Sequence, residues 1–215
     1  MQTCFRATLL VLVFCLFTVN AICQEPIEKF VRYFFIHGMP YSQARKFGSK
    51  DLPVLKKIIS GPEEKVWVKG NSISLMGIIG SEEDFSFLKS VIHGSIPGVS
   101  CDNRSDTIMV LGYMAYHTRS KEVMNYLVLS SSQEIWDWRA VGWSCPSFIS
   151  VSNRNTHITK LAILGLGLSG DRVANYHLRK MLKSHENDGI KDVIETALEA
   201  NRQIQQKGLA GYYKD

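Results

Sequence analysis

The sequence predicts an all-α fold, a stack of antiparallel helix pairs. Three observations predict it. First, three short stretches resemble one another: Met76-Gly77-Ile78-Ile79-Gly80-Ser81, Leu111-Gly112-Tyr113-Met114-Ala115-Tyr116 and Leu166-Gly167-Leu168-Ser169-Gly170-Asp171. Each closes an apolar run and precedes a shorter amphipathic one, and self-similarity at such spacing marks stacked-repeat architectures. Second, apolar residues recur at helical spacing along most of the chain, with no sustained apolar–polar alternation to suggest a sheet. Third, the runs are separated by turn residues such as Gly61-Pro62 and Asn187-Asp188-Gly189.

The elements follow in order. Residues 24–37 place Ile27, Phe30, Val31, Phe34 and Phe35 on one helical stripe, with Pro26 suited to a first turn and Gly38 to a stop. Residues 41–47 make a short helix. Ser49 is an N-cap for 51–60, where Pro53 is tolerated in the first turn and Leu52, Leu55, Ile58 and Ile59 face inward. The next helix, 65–79, has Val66, Ile73, Met76 and Ile79 as core candidates, and Gly80-Ser81 breaks it. Residues 82–92 follow, with two glutamates in the first turn, where they meet the positive end of the helix dipole.

Residues 94–103 read as a loop rich in Gly, Pro and Ser, and 105–116 as the next helix. Ser120 caps 121–129. A less regular section covers 130–155. Residues 156–168 form a very apolar helix, and 172–183 an amphipathic one with Val173, Tyr176 and Leu178 on its inner face. The last helix is 190–204, and the tail 205–215 is expected to be loosely held. No helix of a pair can bury its apolar face alone, so stacking must supply the core.

The repeated Leu-Gly-x-x-Gly-Asp pattern, closing one helix and opening the next, resembles HEAT and armadillo-type repeats, especially the HEAT-like units of bacterial proteins. Residues 166–182 (LGLSGDRVANYHLRKML) carry it most fully. Residues 76–92 are a second copy. Residues 111–127 are a third, with Ala115 in place of the second glycine, and 47–59 a weaker fourth. Glycine positions 77, 112 and 167 give steps of 35 and 55 residues. Against a unit of about 40 residues, the second step carries an insertion. The resemblance spans most of 27–204. It implies an α-α superhelix of about four antiparallel pairs and protein binding on a concave surface. Some HEAT-like proteins are lyases of phycobilin chromophores, but no motif here selects that activity.

The N-terminus reads as an export signal. Arg6 is followed by thirteen uncharged residues, 7–19, rich in Leu, Val and Phe. That suits a signal h-region and falls short of the roughly 20 residues of a membrane span. Ala21-Ile22-Cys23 fits a cleavage site before Gln24. The division is therefore a signal at 1–23, a repeat domain at 24–204 and a tail at 205–215. The expected location is periplasmic or secreted, the alternative being a chain anchored by an uncleaved segment, 7–22. Three of the five cysteines fall in the signal. Cys101 and Cys145 remain, either as one disulfide in an oxidising compartment or as two thiols.

A net charge of +5 permits an acidic partner without requiring one, and lacks the dense basic stripe of a nucleic-acid binder. Arg45, Lys46, Lys50, Lys56, Lys57, Lys65 and Lys69 form a basic run, read as a solvated face or an anionic contact. The six histidines make no ligand pair, so no metal and no cofactor is expected. Gly165-Leu166-Gly167-Leu168-Ser169-Gly170 matches GxGxxG literally but lacks its βαβ context, so a repeat boundary is the simpler reading. Asn103-Arg104-Ser105 matches a glycosylation sequon.

The insertion at 130–155 is the candidate contact surface. Trp136, Trp138 and Trp143 lie within eight residues, accompanied by Arg139 and Arg154, and Trp and Arg are enriched at binding hot spots. The same rings also serve as plugs between misaligned helix pairs. The expected function is an exported, non-catalytic module for protein–protein interaction. The alternatives are a small hydrolase or lyase built on Ser144, Cys145 and His157, and a structural component of an envelope complex.

Overall fold

A computed structural model describes residues 25–213, apart from 37, 141, 142, 144, 146 and 149. Residues 1–23, expected to be a signal, and Ser144 lie outside the described residues. The described chain is all-α, without strands. Its α-helices are α1 Ile27–Phe30, α2 Tyr41–Ala44, α3 Leu52–Ser60, α4 Val66–Ile79, α5 Phe85–Ile92, α6 Cys101–Thr118, α7 Lys121–Ser130, α8 Ile135–Arg139, α9 Val151–Leu168, α10 Arg172–Leu182 and α11 Lys191–Tyr212. Among the described residues no helix is long and apolar enough to cross a membrane.

The starts of α6, α7, α9 and α10 are set by short polar side chains that accept otherwise unpaired N–H groups, whereas α3 starts without a side-chain cap from Ser49. Ser100 Oγ accepts from Asn103 N–H at 3.2 Å, Ser120 Oγ from Val123 at 3.3 Å, Ser150 Oγ from Asn153 at 3.1 Å and Asp171 Oδ1 from Val173 at 2.7 Å. Ser100 and Ser150 therefore start α6 and α9 earlier than the sequence suggests. The first turn of α6 is recovered from the expected loop 94–103, and that of α9 from the irregular section.

The long helices form a layer. α4 packs on α6, α6 on α9 and α9 on α11, while α3, α5, α7 and α10 pack behind these four as partners in pairs. The four inner helices run parallel. Asn103, near the start of α6, donates to the carbonyl of Val66 at the start of α4 (2.9 Å), and His117 near the end of α6 meets the carbonyl of Gly80 just past α4.

The repeated glycines lie inside this layer. A Cβ on Gly77 would fall within 2.8 Å of the Val110 carbonyl oxygen. One on Gly112 would fall within 2.9 Å of Gly165 Cα, and one on Gly167 within 2.9 Å of Ala197 Cα. Each glycine removes a side chain where the next inner helix comes closest. The core lies between the two layers, with Leu55, Ile59, Ile73, Met76, Leu88, Ile108, Leu111 and Leu166 fully buried.

Several expectations are corrected. The N-terminal helix covers only Ile27–Phe30. Asn71 Nδ2 captures the carbonyls of Val31 and Tyr33 at 2.9 Å each, which turns the chain and leaves Phe34 exposed rather than inward. Val66 is exposed as well. On α10, Ala174 and Leu178 face the core, one turn apart, while Val173 and Tyr176 point to solvent.

The stretch 205–213 is not loose. α11 continues to Tyr212 with a break at Gly208 (φ 71°), Leu209 is buried, and the Tyr213 hydroxyl lies 2.7 Å from that of Tyr113 on α6. Tyr41 stacks on both rings, with centroids 6.2 Å from Tyr113 and 5.7 Å from Tyr213. The C-terminal segment thus reaches past α9 and meets α2.

Candidate binding face

α6 and α9 pack on inner neighbours to both sides and on outer partners, and α4 lies between α6, α3 and α2, which leaves one stripe of each in contact with water. Residues three and four apart share a helix face, so the stripe reads directly from burial. On α4 it is Trp67, Asn71 and Ser74; on α6, Asp102, Asp106, Met109 and Tyr113; on α9, Asn153, His157, Lys160 and Leu164. Because the helices are parallel, these stripes lie side by side. The far end of the α6 stripe, at Tyr113, is closed by Tyr213 and Tyr41.

Between α4 and α6 the stripes enclose a cleft of about 250 Å³, lined by Trp67, Asn71, Ser74, Asn103 and Asp106 among others. Trp67 is 40% exposed. Asp106 makes no hydrogen bond or salt bridge to any described residue. Its carboxylate reaches solvent, yet protein replaces part of its hydration. Burial therefore raises the carboxyl above its ordinary value; the charge of His157 pulls against this, and Asp102 adds to it.

In the tryptophan-rich insertion, two of the three rings take the packing role that the sequence left open beside a contact surface. Trp136 is fully buried, and its Nε1 donates to the Ser130 carbonyl at 2.8 Å. Trp143 is buried against it, with centroids 6.2 Å apart. Arg154 is buried too. It donates to the Ala140 carbonyl at 3.0 Å and to Asn155 Oδ1 at 2.9 Å, and Asn155 donates to Asp137 at 2.7 Å. These residues fasten α8 to α9, filling the gap that the long second step leaves. Of the five candidates, Trp138 is the one well exposed, at 65%. Arg139 is half-buried over the ring of Tyr126 (4.8 Å) and beside that of Trp138 (5.3 Å).

Cys101 and Cys145 are joined in a disulfide with Cα atoms 5.3 Å apart, which pins the insertion to the start of α6. Cys145 in this bond carries no free thiol for nucleophilic attack, and the His157 ring packs on Phe148 (centroids 5.1 Å apart). The three glycines of the GxGxxG match serve packing. Gly165 and Gly167 face the neighbouring inner helices, and Gly170 takes a left-handed turn (φ 56°) against Ile204.

The basic run is dispersed by the fold. Lys69 is buried and donates to the Gly98 carbonyl at 2.9 Å, Lys56 pairs with Asp84 at 2.6 Å, and Lys65 lies over the Trp67 ring at 4.7 Å. Among the described residues no group of three or more His, Cys, Asp or Glu is placed to hold a metal ion.

Sequence reasoning missed the Trp67–Asp106 cleft. The available signal was the pair Asp102 and Asp106, one turn apart on a mostly apolar helix, which marks the helix side that faces water. Comparison with known protein families, with curated proteins and with solved structures finds no match.

Proposed function

We propose that this chain is an exported interaction module of the HEAT-like kind, non-catalytic, which holds a protein partner on the free face of its inner helices. One observation carries the reading: three parallel helices, α4, α6 and α9, present aligned stripes to solvent in one continuous surface. Stacked helical repeats use such extended surfaces for binding. Close-approach glycines at 77, 112 and 167 mark each of the three inner helices that has another inner helix after it, which fits a repeat origin. Export is supported by the apolar stretch 7–19 and by a disulfide of the kind that persists in oxidising compartments.

The test is a pull-down from the exported fraction with wild type, Trp67→Ala/Asp106→Ala and Trp138→Ala, each checked for native helicity. The reading predicts that the first variant loses the partner and the Trp138 variant keeps it. An unchanged partner list with the double variant would remove the inner face from consideration.

A further inference from the structure

We propose that the cleft between α4 and α6 seats a lysine or arginine side chain of the partner. This deepens the interaction-module reading and rests on it. The cleft is built from acceptors whose own donors are spent elsewhere. Both N–H groups of the Asn71 amide go to the carbonyls of Val31 and Tyr33, so its oxygen is what remains. The Asn103 amide donates to Val66, which leaves its oxygen over Gly70. Neither oxygen accepts a hydrogen bond from a described residue. Asp106 adds a carboxylate with no salt bridge among the described residues, and Asp102 adds a second negative charge one turn away.

Such a lining offers acceptors and negative charge and asks for donors and positive charge. An ammonium has three donors and no acceptor, and a guanidinium five. The Trp67 face supplies the remaining element. Indole attracts a cation electrostatically and packs against the methylene stem of a long side chain. The chain's own Lys65 already shows this preference, with its ammonium 4.7 Å from the ring centroid. A cavity of about 250 Å³ suits one long side chain rather than a helix. The recognised group is thus basic, although the chain as a whole carries a net charge of +5.

The experiment is a ¹⁵N–¹H titration of the full chain with the peptide acetyl-Gly-Gly-Arg-Gly-Gly-amide and with its Glu counterpart. The Arg peptide is expected to shift the Trp67 indole N–H and the side-chain amides of Asn71 and Asn103, and the Glu peptide to leave them in place. Asp106→Asn preserves shape and removes the charge. It should weaken the Arg peptide by roughly five- to tenfold. Lys65→Ala removes the internal competitor and should tighten binding. Equal affinity in wild type and Asp106→Asn, or shifts confined to another surface, would overturn the proposal.

The pull-down separates this from the broader reading. A partner captured equally by Asp106→Asn overturns the cleft's role and leaves the module standing. A chain that takes the Arg peptide but retains no exported protein supports the cleft's chemistry and overturns the module.

Discussion

Asp84 shows how one side chain can tie a turn to a neighbouring helix. Its Oδ2 accepts from the N–H and hydroxyl of Ser81 at 2.9 and 3.0 Å, and its Oδ1 lies 2.6 Å from the Lys56 ammonium. Burial opposes its ionisation, but Lys56 and Ser81 outweigh burial and hold the carboxyl below its ordinary value. A depressed folded-state value means that the unfolded chain binds the proton more readily. The stabilisation is therefore complete above the unfolded carboxylate range, near pH 4, and is lost as pH falls through the folded value. Asp84→Asn should cost about 1 kcal/mol at pH 7, the size of a lost cap, and less at pH 3. Urea unfolding of wild type and variant at both pH values checks this. A gap that widens in acid would contradict it. The sequence shows the acidic first turn here, but not the reach of Lys56 from another helix. The same holds for Trp136 and Arg154. Their residue types are those of hot spots and of cores alike, and only the packing around 130–155 decides that they are buried.

The inner helices approach one another where glycine leaves room. Alanine is the better helix former by about 1 kcal/mol in an isolated helix. At Gly112 the neighbour decides instead, because an added methyl would meet the backbone of Gly165 rather than a side chain that can swing away. Gly112→Ala should lower stability by about 1–3 kcal/mol, the usual cost of overpacking, with the helical circular dichroism spectrum retained. Calorimetry on the pair checks the sign, and a stabilised variant would show that α6 and α9 do not touch there.

The glycines stand out in the sequence as recurring at the ends of apolar runs, and their spacing follows the contacts closely: Gly77 meets Val110 and Gly112 meets Gly165. Their physical task was not legible, since a glycine ending an apolar run also fits a helix stop. Helix starts are less legible where a serine cap recruits polar residues into a first turn, as at Ser100 and Ser150. Apolar periodicity ends the last helix at residue 204 because the polar run 205–208 precedes Leu209 and Tyr213. Leu209 is buried and the Tyr213 hydroxyl meets that of Tyr113, a contact across the chain that no local pattern records.

At the scale of the molecule, the pairs α3/α4, α5/α6, α7/α9 and α10/α11 each contribute one inner helix to a common layer. Helical periodicity and short turns made the all-α class readable, because both are local properties. The free face was not readable, since it depends on which side of each helix its neighbours leave open. Everything proposed about binding needs the inner helices to run parallel at the glycine contacts. If they did not, Trp67, Asp106 and His157 would not share a surface. The most direct test is a nuclear Overhauser experiment on the α-protons at the contact points. The account predicts direct cross-peaks between Gly112 and Gly165 and between Gly167 and Ala197. Their absence in a folded sample, or cross-peaks pairing the start of one inner helix with the end of the next, would contradict it.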